Sequence, residues 1–205
     1  SVGEAVKLDF ANGIRSIMRQ DPDIILVGEI RDKDTADMAF RAAMTGHQVF
    51  STLHTNSALG AFPRLLDIGI LPDIIAGNVI GVIAQRLVRV LCSSCKVEYR
   101  PSLEEKHILG VPPESGITLF RQHDGGCRQC NHRGFKGRIA VMELLPMDAD
   151  LDELVARRAT AREMRRMAVE KGFRPLADEG IERVLEGVTS LSELSRAVDL
   201  TGRLL

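Results

Sequence analysis

The sequence contains no tryptophan, one tyrosine and only 4% aromatic residues. Platforms that stack nucleobases are built from aromatic rings, so their scarcity speaks against that mode of nucleic-acid binding. No apolar run approaches the roughly 20 residues a membrane-spanning helix needs. Residues 1–7 lack the basic end and apolar stretch of a secretion signal, so a cytoplasmic location is expected. An excess of one charge is also missing: 27 Lys+Arg face 28 Asp+Glu, for a net charge of -1. That balance gives no general attraction to nucleic acid or to an anionic membrane, and any such binding has to be local. There is no internal repeat and no low-complexity tract.

The composition is otherwise that of an ordinary globular chain, with 44% hydrophobic and 27% charged residues over 205 positions. Phe10, Ile14, Ile17 and Met18 recur at helical spacing and predict a helix over 8–20, which Asp21-Pro22 ends. Residues 24–27 (Ile-Ile-Leu-Val) form a continuous apolar run, as expected of a strand buried on both faces. A second helix is expected from a cap at Asp34 through Thr45, then a strand over 48–52. A third helix is expected over 57–68, ending at Gly69. Pro72 is expected to open a fourth, with Ile75, Val79, Val82, Ile83 and Leu87 on one face. Alternating strands and helices predict an α/β fold for 1–90. From 91 to 138 periodic apolar stretches vanish and cysteine, glycine and proline appear, which reads as a small inserted module. Residues 139–142 read as a strand returning to the main body. Helices are expected over 151–158, 161–171, 176–187 and 190–198.

All four cysteines fall in two Cys-x2-Cys pairs, Cys92/Cys95 and Cys127/Cys130. Each such turn aims two sulfurs at one point, and two turns supply the four thiolates that structural zinc takes in a tetrahedron. Two disulfides or a redox-active pair are the alternatives. A module of this size has little core and would depend on the metal to fold. Arg128, His132, Arg133, Lys136 and Arg138 surround the second pair, as a docking patch for an acidic partner or as a solvated face.

Glu29 follows the apolar strand directly. A carboxylate past the carboxyl end of a parallel strand lies where α/β sheets bind ligands, and can hold a Mg²⁺-bound water there. His54 follows the second strand, either as a donor to a terminal phosphate or as a histidine satisfied by a backbone carbonyl.

Four stretches occur in order: RQDPDIILVGEIRD (19–32), TGHQVFSTLHTNSA (45–58), AQRLVRVLCSSC (84–95) and GRIAVMELL (137–145). Together they resemble the ATPases of type II secretion and type IV pilus extension, over nearly the whole chain. The tetracysteine insert favours these branches over pilus-retraction relatives. The resemblance implies the C-terminal half of a RecA-like P-loop ATPase domain (1–90), a zinc module (91–138), and a returning strand with a C-terminal helical subdomain (139–205). It implies that Glu29 is the Walker B acid, with Gly28 where most such elements carry Asp. His47 and His54 match the family's two box histidines. Arg15, Arg19, Arg86 and Arg89 match basic residues near the nucleotide or the subunit boundary, where surface salt bridges are the alternative. The implied cofactors are ATP, Mg²⁺ and structural Zn²⁺. The implied assembly is a hexamer at the inner membrane, working on a platform protein and on pilus or secretion components, with no nucleic acid.

The family's phosphate loop, Gly-x-x-x-x-Gly-Lys-Ser/Thr, does not occur, nor does its acidic box, and Asn12 stands where some members carry Arg. The resemblance therefore implies the C-terminal part of a longer ATPase that binds ATP poorly by itself. Two other readings follow from the same residues: a non-hydrolysing adaptor, and a zinc-ribbon module for nucleic acid.

Overall fold

The computed structural model describes residues 10–201, and side chains from Asn12 onward. The start of the helix expected over 8–20 lies outside the described residues. The described residues form two compact units, one of residues 10–83 and 144–173, the other of 84–143 and 174–201. These units cut across the ranges 1–90, 91–138 and 139–205. No helix among the described residues is long and apolar enough to cross a membrane.

The first unit begins with α1 (Phe10–Met18) and β1 (Ile24–Val27), then α2 (Lys33–Met44) and β2 (Gln48–Ser51). β1 and β2 pair in parallel, from Ile24↔Gln48 to Val27↔Ser51, with α2 as the crossover. Asp32, not Asp34, caps α2: its side chain accepts from Thr35 N–H at 2.8 Å, and Asp34 falls in the first turn. β1 is buried on one face only. Ile25 and Val27 are inside, whereas Ile24 is 64% and Leu26 77% exposed. The expectation of two buried faces is thus corrected. The apolar run is real, but among the described residues one of its faces has no covering layer.

α3 (Ala61–Ile68) ends at Gly69, whose φ of 101° is a left-handed cap that glycine adopts without steric cost. The fourth helix differs from expectation. α4 is a single turn, Pro72–Ile75, and the chain then becomes β3 (Gly81–Leu91). The spacing of four from Ile75 through Val79 and Ile83 to Leu87 suits a period of two as well as 3.6. Gly77, at φ 75°, breaks the helix, and the β-branched residues from Val79 to Ile83 favour the strand. The first unit closes with α6 (Ala149–Ala156) and α7 (Ala161–Glu170), where Thr160 and Glu163 form a reciprocal capping box.

The second unit contains β4 (Val97–Tyr99), α5 (Leu103–Leu109) and β5 (Leu119–Arg121), with β4 and β5 antiparallel. β6 (Phe135–Pro146) pairs with β3 and extends well beyond the four residues expected. α8 (Leu176–Leu185) and α9 (Leu191–Ala197) complete the unit. α8 starts without a cap of its own, and the buried carboxylate of Glu143 on β6 accepts from Leu176 N–H at 2.7 Å instead.

Candidate functional site

Two groups of side chains stand out, one in each unit. In the first unit, parallel pairing brings the carboxyl ends of β1 and β2 together, and with them Glu29 and His54. His54 Nε2 lies 2.5 Å from Glu29 Oε1, and Arg31 Nη2 lies 2.5 Å from Glu29 Oε2. Arg31 first, and then the charges of Arg31 and His54, hold the Glu29 carboxyl below its ordinary range against the opposing effect of desolvation. Glu29 Oε1 is buried and has no hydrogen bond. His54 Nε2 stands at ion-pair distance from this oxygen, and a carboxylate oxygen with two lone pairs keeps capacity for a ligand beside it. A low-lying carboxylate with an orphaned oxygen at a strand end fits Mg²⁺ or its bound water.

His47 is not part of this pair. It precedes β2 while His54 follows it, so about 13 Å of strand separates the two positions. Its Nδ1 lies 3.0 Å from Ala42 O and 3.1 Å from Thr45 Oγ1, at the C-terminal end of α2. Arg15 is exposed on α1 and bonded to Asn12 Oδ1 at 2.8 Å, and Arg19 is exposed just beyond that helix.

In the second unit, Arg86 is half-buried and donates to Gln85 O at 3.0 Å. Arg89 is engaged by Glu193, which takes its Nε at 2.9 Å, its Nη2 at 2.5 Å and its backbone N–H at 3.1 Å. The guanidinium also lies 4.1 Å from the centre of the Phe135 ring. Sequence reasoning missed Glu193, which no local pattern marks, and Arg31, which stands two residues from Glu29 in the same loop.

The four cysteines converge as their spacing predicts. Sγ separations are 3.8 Å for Cys92–Cys127, 3.9 Å for Cys95–Cys130 and 3.8 Å for Cys127–Cys130. Thiolates at the usual Zn–S distance of about 2.3 Å form a tetrahedron whose edge is about 3.8 Å. A disulfide needs sulfurs at about 2.05 Å, and all four cysteines are free. The donor set therefore fits Zn²⁺. Cys92 N–H donates to Gly134 O at 3.0 Å and ties the two turns together. Cys130 Sγ accepts N–H bonds from Cys127 and Gly134, each at 3.2 Å. These amides, that of Cys127 foremost, lower the Cys130 thiol to about 6. Cys95 is pushed up to about 12 by desolvation first and then by its three sulfur neighbours, a cost that a central cation removes. The backbone around the second turn is demanding. A Cβ on Gly126, at φ 56°, would lie 2.5 Å from the His132 carbonyl carbon. Arg128, His132, Arg133, Lys136 and Arg138 are exposed.

Comparison with known proteins gives a consistent picture. The family model described as Type II/IV secretion system protein matches residues 1–196. Type II secretion system protein E of Pseudomonas aeruginosa is 46% identical over 195 residues, covering 95% of this chain and 38% of that protein. The type IV pilus assembly ATPase TfpB of Acinetobacter baylyi is 46% identical over 202 residues, covering 98% of this chain and 34% of that protein. The chain thus spans little more than a third of these relatives. Among solved structures, the pilus retraction motor PilT with bound ADP superimposes with a TM-score of 0.63 at 25% identity, over 95% of this chain and 45% of that one. The ATPase DotB of Legionella pneumophila has a TM-score of 0.61 at 21% identity, over 92% of this chain and 42% of that one, a likeness of fold. On the extent of the family match, the chain belongs to the type II/IV secretion system proteins.

Proposed function

We propose that this chain supplies the Walker B acid and a phosphate-sensing histidine to a RecA-like ATPase that powers type II secretion or type IV pilus assembly. The observation that carries the reading is Glu29, paired with His54 at the end of a parallel strand and with one oxygen left unsatisfied. Magnesium, when bound with ATP, neutralises charge on the phosphates. Glu29 is held below its ordinary range, so it is a poor proton acceptor near neutral pH. Its role is to hold a metal-bound water or to orient the attacking one. His54 stands beside it with an exposed ring, able to donate toward a terminal phosphate. His47 is occupied at the end of α2, so we assign the phosphate side to His54. Arg15, Arg19 and Arg86 are our candidates for the nucleotide or the subunit boundary. Arg89 is committed to Glu193.

The phosphate loop would come from elsewhere in the full-length protein, which we expect to act as a hexamer on the cytoplasmic face of the inner membrane, against a platform protein. Zinc in the four-cysteine site would be structural, since all four positions are filled by protein. The test is ATP turnover by the full-length protein carrying Glu29→Gln. Turnover should fall by roughly two orders of magnitude while ATP binding persists. Unchanged kcat would sink the assignment, and a wild-type protein that binds its secretion machinery without turnover would favour the adaptor.

A further inference from the structure

Both peptide groups flanking Glu29 are fastened to one residue of the neighbouring strand. Thr52 Oγ1 donates to the Gly28 carbonyl at 2.7 Å. Ile30 N–H donates to the Thr52 carbonyl at 3.0 Å. The paired strands end at Val27↔Ser51, and the Thr52 hydroxyl carries the attachment one residue further. Val27 and Ile30 are buried on either side, but at Gly28 itself no side chain packs. Gly28 has no side chain, and a Cβ built there would meet nothing within 4 Å. Between Val27 and Ile30, the hydrogen bonds to Thr52 set where the Glu29 backbone sits. His54 lies two residues beyond Thr52, so both partners of the carboxylate–imidazole contact hang from the same tie.

We propose that Thr52 is a positioning residue whose hydroxyl holds the Glu29 carboxylate and the His54 imidazole in register for phosphoryl transfer. This rests on Glu29 being the Walker B acid. Catalytic groups need to be held to within about 0.5 Å, and a displacement of about 1 Å costs up to a hundredfold. Valine preserves the β-branched shape of threonine and removes the donor, whereas serine keeps the donor and removes the methyl group.

The experiment compares Thr52→Val, Thr52→Ser and Glu29→Gln in the full-length protein, measuring kcat, KM for ATP and hydrogen exchange of peptides spanning 28–32. Thr52→Val should lower kcat about tenfold with KM within about twofold, and Thr52→Ser should recover most of the loss. Exchange at Ile30 should quicken in the valine variant and not in the serine variant. The inference alone is overturned if Glu29→Gln is inactive while Thr52→Val turns over and exchanges like the wild type. It is also overturned if serine is as damaging as valine, which would assign the effect to the methyl group. If Glu29→Gln retains full turnover, the Walker B assignment itself fails and takes the inference with it.

Discussion

Glu29 in the first unit and Glu193 in the second are both glutamates facing arginines, yet their surroundings are opposite. Glu29 sits at a strand end, and its Oε1 has only the ion-pair contact of His54. Glu193 is fully enclosed, its side chain 0% exposed. It accepts from Arg89 through three N–H groups and from Arg196 Nε and Nη2 at 3.1 and 2.7 Å. A saturated buried carboxylate makes the fold depend on every partner, because removing any one of them strands a charge. An unsaturated one at a strand end has capacity left for a ligand. The same contrast holds for the four cysteines, whose sulfurs close a tetrahedron among themselves, and the Glu29–His54 pair, which is not closed.

The largest expected effect tests how far the second unit depends on a metal held by the four cysteines. Cys92→Ser with Cys95→Ser should abolish zinc binding and remove exchange protection across 91–137. α8 and α9 should loosen with it. Lys96, one residue past the first pair, donates to Gly187 O at 2.8 Å and lies 4.2 Å from the centre of the Phe120 ring. Leu91 N–H meets Val188 O at 2.8 Å. Exchange in the first unit should not change. Retained protection over 91–137 without metal would break the contrast by showing that the module has a sufficient core of its own.

The next effect is acid sensitivity. Burial pushes Glu193 up, but Arg196 and then Arg89 outweigh it, lowering the group from 4.5 to about 2. A folded-state value below the unfolded one contributes stability above pH 4.5, and that stability is lost as pH falls toward about 2. The contribution at neutral pH is on the order of 3 kcal/mol. Thermal melts between pH 6 and pH 2, compared with Glu193→Gln, should show this portion of the acid loss missing from the variant. An identical pH profile in both would deny Glu193 its structural role.

The smallest effect belongs to the surface. Lys171 bridges Asp148 and Asp150 at 2.6 and 2.5 Å between α6 and α7. The pairs are open to solvent and screened by salt, so Lys171→Ala should leave the melting temperature nearly unchanged at physiological ionic strength. A drop comparable to the Glu193 effect would show that exposed carboxylates here carry as much as buried ones.

Much of the candidate site was legible in advance. Glu29 and His54 each follow an apolar strand, and parallel pairing brings consecutive strand ends together. Thr52 was not legible, since a threonine after a strand has no distinguishing pattern until the facing carbonyl is known. Glu143 capping α8 across 33 positions, and Glu193 holding Arg89 across 104, are invisible for the same reason.

The sequence by itself determined the convergence of the four cysteines, the parallel strand pair with its crossover helix, and the helix end at Gly69. Each follows from a local rule: ligand spacing, apolar runs, or capping chemistry. Only the tertiary structure decided that residues 81–91 are a strand, that β1 buries one face, and which arginine a buried carboxylate claims. A spacing of four satisfies both helical and extended periods; Gly77 and the β-branched run lean toward the strand, and pairing with β6 completes it. The pairing of charges distant in sequence depends on which surfaces pack together, a property of the whole chain that no local window contains.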